Sequence, residues 1–269
     1  MSVRRAAVPF LAALLLLASA ACQAASAARA ALPPVTGTVH LTSLEWPPYT
    51  GQRLARQGIT TAVLKAAMAS MGYQVEVTFY PWARATALVR AKSIFIGYFP
   101  EYDAAQTRAD YLLSDPIGTG PLGFAEHADT PVKWETLDDL ERHRIGLVAG
   151  YVNSEAFDQR VAAGRQRVDY ARDDQQNLVK LAAGRVPLAL VDRRVFDFLT
   201  RHDRAVAPLA SKLRFHARLL ENKQLYVCFR RTAEGERMRK IFNEGLKKID
   251  VEAVMQGALR QLDGNAGPG

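Results

Sequence analysis

Cysteine is nearly absent: the 269-residue chain holds two, Cys22 and Cys228. A disulfide framework of the kind that staples small secreted domains is therefore excluded. The five histidines, His40, His127, His143, His202 and His216, are scattered without metal-type spacing, so neither a zinc site nor any other cofactor is expected. No helix-length segment carries a continuous basic stripe with interleaved aromatics, so nucleic acid is not expected as a partner. The glycine pair Gly118-Thr119-Gly120 runs into Pro121 rather than a helix, which argues against a phosphate cradle. With 23% charged residues and 18 glycines, the composition fits neither a disordered tail, a collagen nor a coiled coil. A second long apolar run is missing as well.

The one long apolar run lies at the start. Arg4 and Arg5 precede Ala6 to Ala21, and an alanine- and serine-rich stretch follows, with Ala25-Ser26-Ala27 offering a cleavage site. This three-part layout reads as a secretory signal peptide over residues 1–27. The run is about 16 residues, short of the roughly 20 that span a bilayer. The expected location is the periplasm. Lipid attachment at Cys22 is a second possibility, although Ser19-Ala20-Ala21 lacks the leucine of a bacterial lipoprotein box. Cleavage takes Arg4 and Arg5 away, so the formal charge falls from +8 to +6, with 33 basic and 27 acidic side chains remaining. Their dispersal leaves at most a weak positive field that would steer an anionic solute. Cys228, then alone within Gln224 to Arg230, reads as a small buried hydrophobe.

Beyond the leader, strand patterns alternate with helical ones. Thr38–Leu44 and Tyr73–Tyr80 alternate in period two, and Ser93–Tyr98 reads as a third strand. Ile59, Val63, Ala67 and Met71 recur at helical spacing before Gly72, and Pro81 suits a helix start. The pattern returns with strands Arg144–Ala149, Val168–Ala171 and Pro187–Val191. Helices follow from Ser154, from Asp173 as a cap, and from Arg194 to His202. Such alternation predicts right-handed crossovers and mostly parallel sheets. The fold class is α/β. Residues 38–124 read as the first part of one lobe and 125–218 as a second lobe entered through the polar segment Glu126–Pro131. Residues 219–263 read as a return to the first lobe, and 264–269 as a flexible tail, so that two crossings form a hinge.

Ligands in open parallel sheets bind beyond the carboxyl ends of the strands. Here those positions hold Glu45, Trp46 and Tyr49; Trp82 and Arg84; Tyr98 to Pro100; Gly150, Tyr151 and Asn153; Asp173; and Asp192. They are aromatic and small-polar, closer to a solute pocket than to a reaction centre.

In order, the chain shows Glu45-Trp46-Pro47-Pro48-Tyr49, Gly58-Ile59, Pro81-Trp82-Ala83-Arg84 and Arg108 before Ser114-Asp115-Pro116. Leu137 to Leu140, Ile145-Gly146 with Gly150, Leu181 to Val186 and Val191-Asp192 follow. This series resembles the bacterial extracellular solute-binding proteins of family 3, the amino-acid receptors of ABC importers. The resemblance implies a two-lobe, type II periplasmic binding protein-like fold, with each lobe a mostly parallel sheet flanked by helices and two hinge segments. It further implies a monomer, not an enzyme, that closes on a small polar solute, amino-acid-like or an organic anion, for an inner-membrane ABC permease. Arg108 would grip the solute carboxylate in two parallel hydrogen bonds. Asp192 would meet its ammonium, and the Gly150-Tyr151 turn would add backbone donors. Trp46, Tyr49, Trp82 and Tyr98 would stack, with Arg84 beside them. Plainer roles stand alongside: Arg108 paired on the surface with Asp103 or Asp110, Asp192 capping a helix, the tryptophans packing a core, and Arg84 on a solvated face. The chain departs from the family at Gly58-Ile59-Thr60, where Gly-Phe-Asp is usual, and at Tyr98-Phe99-Pro100, where a serine or threonine pair is usual. Both favour a flatter or more aromatic solute. Some proteins of this fold are dehydratases of cyclohexadienyl acids, for which Glu45 or Glu101 would serve as the acid. An accessory or sensor module is a further reading.

Overall fold

A nine-stranded sheet runs through the computed structural model, which describes residues 32–264. The signal segment, Cys22 and residues 265–269 of the expected tail lie outside the described residues, whereas Gly264 closes the last helix. Strands β1 (Gly37–Ser43), β2 (Tyr73–Phe79) and β3 (Phe95–Tyr102) form a parallel set centred on β1. Strands β6 (Ile145–Val148), β7 (Val168–Ala171) and β8 (Leu188–Asp192) form a second parallel set centred on β6.

Between the two sets run β5 (Gly118–His127) and β9 (Leu213–Arg230), paired antiparallel; the short β4 (Tyr111–Leu113) also pairs with β9. Among the described residues, the strand order β2-β1-β3-β9-β5-β8-β6-β7 makes this ribbon the sheet connection between the sets. The sequence pattern predicts a polar linker over Glu126–Pro131. Instead Glu126 stays in β5 with its carboxylate buried, accepting from Arg214 Nε at 2.8 Å and Val132 N–H at 2.7 Å. A buried acid with two donors sits in a strand as readily as an apolar residue.

The helices are α1 (Ile59–Ala69), α2 (Trp82–Ala91), α3 (Ala105–Asp110), α4 (Glu155–Ala162), α5 (Asp174–Ala182), α6 (Arg193–His202), α7 (Ala233–Leu246) and α8 (Val251–Gly264). Their starts are written locally. Ser154 accepts from Phe157 N–H at 3.3 Å and Asp173 from Gln176 N–H at 2.8 Å, caps worth about 1 kcal/mol each. The proline predicted at the first helical position stands one residue earlier: Pro81 occupies the N-cap position of α2 without a side-chain capping bond. Helix α1 buries Val63, Leu64, Ala67 and Met68 against α7 and α8, so the C-terminal helices pack on the first parallel set. Among the described residues, 35–264 form one compact unit. Cys228 is fully buried, and among the described residues no helix is long and apolar enough to cross a membrane.

Candidate functional site

Both parallel sets point their carboxyl ends at one place, where a cavity has formed. Leu44, Trp46, Trp82, Pro100, Glu101 and Tyr102 line it from one side, Tyr151 and Val152 from the other, and Leu225 from the ribbon. The pocket is about 290 Å³, its open mouth included.

Aromatic rings make the walls. Trp46 stacks on Tyr49 with centroids 4.4 Å apart and planes 22° apart, and meets the edge of Tyr102 at 6.0 Å and 81°. Trp82 stands edge-on to Tyr98 at 5.3 Å and to Tyr151 at 6.2 Å and 86°. These perpendicular pairs are favoured by the ring quadrupoles. The Trp82 indole N–H donates to the Gly150 carbonyl at 3.1 Å, tying α2 to the turn after β6. Gly150 takes a positive φ of 80°, the left-handed conformation the turn needs.

Asp192 ends β8 and is 2% exposed. It accepts from the N–H groups of Arg194 at 2.7 Å and Val195 at 3.2 Å, so the capping role is real. It also sits 3.1 Å from the Tyr49 hydroxyl and 3.2 Å from the Tyr102 hydroxyl, which join it to the other parallel set. The Arg194 guanidinium donates to the Tyr49 hydroxyl at 3.3 Å and to the Thr119 carbonyl. Gly120 permits the approach, because a Cβ there would meet Asp192 Oδ2 and the Tyr102 hydroxyl, each at 2.6 Å.

Burial governs the charges. Desolvation raises Asp192 to about 7 against the opposing pull of its backbone N–H donors. Asp174, at the start of α5, accepts from the Tyr151 hydroxyl at 3.2 Å and is likewise raised to about 7 by desolvation. Glu101 accepts from Tyr102 N–H at 2.9 Å and the Tyr98 hydroxyl at 3.4 Å, and desolvation raises it to about 8. The Trp46 indole N–H lies near enough to Asp174 to lower its pKa, yet it is buried and makes no hydrogen bond.

Of the residues singled out from sequence, Trp46, Tyr49, Trp82, Tyr98, Gly150, Tyr151 and Asp192 meet in this contact network. Arg108 and Arg84 do not line the cavity. Arg108 is exposed and ion-paired with Asp103, beside a separate groove with Glu155 and Glu221. Arg84 is exposed with its guanidinium 5.0 Å from the Tyr80 ring centre. Glu45, the other candidate acid, is exposed and accepts from Gln52 N–H at 2.9 Å. Sequence reasoning passed over Tyr102, Asp174 and Arg194. Extending strand β3 beyond Tyr98 would have reached Tyr102; for Asp174 the pattern holds no signal beyond its place beside the cap.

No protein-family model matches the chain, and no curated protein matches it. Solved structures do. A histidine kinase sensor domain with similarity to periplasmic binding proteins superposes with TM-score 0.70 at 16% identity, over 84% of this chain and 95% of that one. The VFT2 domain of Bordetella pertussis BvgS, as a double mutant, gives 0.66 at 18% identity over 83% and 93%. An ancestral amino acid-binding protein, a precursor of cyclohexadienyl dehydratase, gives 0.64 at 13% over 84% and 95%. At such identities the likeness is one of fold, and the fold is the α/β, two-lobe architecture of periplasmic binding proteins.

Proposed function

We propose that this protein is a periplasmic receptor whose two lobes close on a small polar solute. The lobes would comprise residues 38–124 with 219–263, and residues 125–218, with the β5–β9 ribbon as the hinge. The observation that carries this is the cavity lined from both parallel sets and bridged by the bond from Trp82 to Gly150. Solute contacts on both sides of a cleft favour the closed member of an open–closed equilibrium, which a membrane partner then reads. In the uptake reading that partner is an inner-membrane ABC permease, and the receptor acts as a monomer. The likeness to a histidine kinase sensor domain supports a sensing read-out of the same closure. Differential scanning fluorimetry against amino acids, organic anions and amines, with mass spectrometry of co-purified small molecules, tests the proposal. No shift and no co-purified molecule would remove it.

A second reading rests on Glu101. A buried carboxyl raised to about 8 is protonated at neutral pH and is placed as a general acid on the cavity wall. The dehydratase precursor among the fold neighbours supports this alternative. Turnover of prephenate or arogenate, abolished by Glu101→Gln, would establish it.

A further inference from the structure

If the cavity is the solute site of the receptor proposed above, its lining restricts the solute's charge. Four aromatic residues, Trp46, Trp82, Tyr102 and Tyr151, surround it, Glu101 supplies a carboxyl, and no lysine, arginine or histidine is among its lining residues. A second carboxyl, Asp174, lies directly behind Tyr151.

The cations that could serve a carboxylate are engaged elsewhere. Arg108 pairs with Asp103 in the separate groove, and Arg84 lies over Tyr80 on the surface. Arg194 is held by the Thr119 carbonyl and the Tyr49 hydroxyl. Lys223, whose charge reaches Glu101, bonds to the Asp103 carbonyl and to Glu221, each at 3.3 Å, over the Tyr102 ring. An anionic solute would leave water for an aromatic-walled cavity with no countercharge among its lining residues. A cation meets the reverse: ring quadrupoles on several sides and acid groups behind them. The perpendicular settings of Trp82 on Tyr151 and of Trp46 on Tyr102 are those of an aromatic box. The unpartnered, buried Trp46 N–H adds one donor and calls for an acceptor atom.

We infer that the cavity binds a small organic cation, an ammonium head carrying an oxygen acceptor and no carboxylate. The pocket of about 290 Å³, its mouth included, takes the head group within, with the rest of the molecule directed to the mouth. This narrows the polar solute of the receptor reading and replaces the anion that the positive net charge suggested.

Isothermal titration calorimetry of the purified protein at pH 8.5 decides the matter, with choline, ethanolamine and tetramethylammonium against succinate and glutamate as probes. The expected result is binding of choline or ethanolamine and none of succinate. Glu101→Gln should weaken the cation about tenfold or more, as loss of a buried countercharge does. Trp46→Phe, which keeps a ring and removes the donor, should weaken choline more than it weakens tetramethylammonium, because both lose part of the ring attraction and only choline loses a hydrogen bond. Should Glu101→Gln misfold by circular dichroism, Trp46→Phe with the two ammonium probes still gives the answer. Binding of succinate or glutamate in preference to the cations overturns the inference and leaves the receptor standing. Absence of binding by every probe, with no small molecule co-purified, removes the receptor reading and this inference with it.

Discussion

The Tyr49 hydroxyl lies 3.1 Å from the Asp192 carboxylate, a bond between residues 143 positions apart that joins the loop after β1 to the start of α6. With Tyr102 on the same carboxylate and Trp82 on Gly150, it forms a set of polar ties across the cleft. Tyr49→Phe removes the donor and leaves the ring stacked on Trp46. We expect a stability loss of about 1 kcal/mol, the net worth of one such bond. Small-angle scattering should show a larger radius of gyration for the variant if the tie holds the lobes together. An unchanged radius would show that closure rests on the other contacts.

Gly120 is the residue on which that network leans. Gly120→Ala pushes a methyl into Asp192 Oδ2 and the Tyr102 hydroxyl, so the carboxylate and phenol must separate. A cost of about 1–3 kcal/mol is expected, as for other overpacked sites. Thermal denaturation of the variant against Tyr102→Phe checks the cause. If the clash acts through the phenol, the Tyr102→Phe background absorbs part of the loss.

Stability should rise on mild acidification. Glu101 is raised from 4.5 to about 8, and Asp174 and Asp192 from 3.8 to about 7, all by burial. Between the lower and upper values the folded protein holds protons that the unfolded chain has released. Stability is therefore fully present below about pH 4 for these groups and is lost as pH rises through about 7 to 8. The groups facing them are Tyr98, Lys223 and Asp158 at Glu101, Tyr151, Trp46 and Asp173 at Asp174, and Tyr49, Tyr102 and Arg194 at Asp192. Calorimetry should give a higher Tm at pH 5 than at pH 8, and Asp192→Asn should flatten the slope. A Tm that falls on going to pH 5 would contradict the burial argument.

Cys228 should resist a thiol reagent in the folded protein and react once denaturant is added. It is fully buried, and burial pushes its thiol pKa well up, so little thiolate forms and little access exists. Peptide mapping after alkylation reads the site directly. Rapid native labelling of Cys228 would mean that β9 opens readily.

The elements that announce themselves locally were legible from sequence. Asp173 and Ser154 cap the helices they precede, and the alternation of Tyr73 to Phe79 is that of a half-buried strand. Trp46, Trp82 and Tyr151 were reachable because the parallel sheets place strand ends at one face. The ribbon was hidden. Leu213 to Leu225 mixes Arg214, Arg218, Glu221 and Lys223 among its apolar residues, because much of β9 is exposed and its partners come from β3 and β5. Glu101 and Asp174 carry no pattern as buried acids; only the walls around them make them so.

β3 is buried along all its residues, yet its partner on the side away from β1 is β9, supplied by the far end of the chain. Until that segment exists, the parallel set of β1 to β3 has an open apolar strand edge, the condition that invites pairing with another chain. Folding is thus governed by a long-range closure, which is slow for its topology. A newly made chain stays unfinished until Leu225 to Phe229 have been made, and cuts ahead of Leu225 should yield aggregation rather than a smaller stable unit.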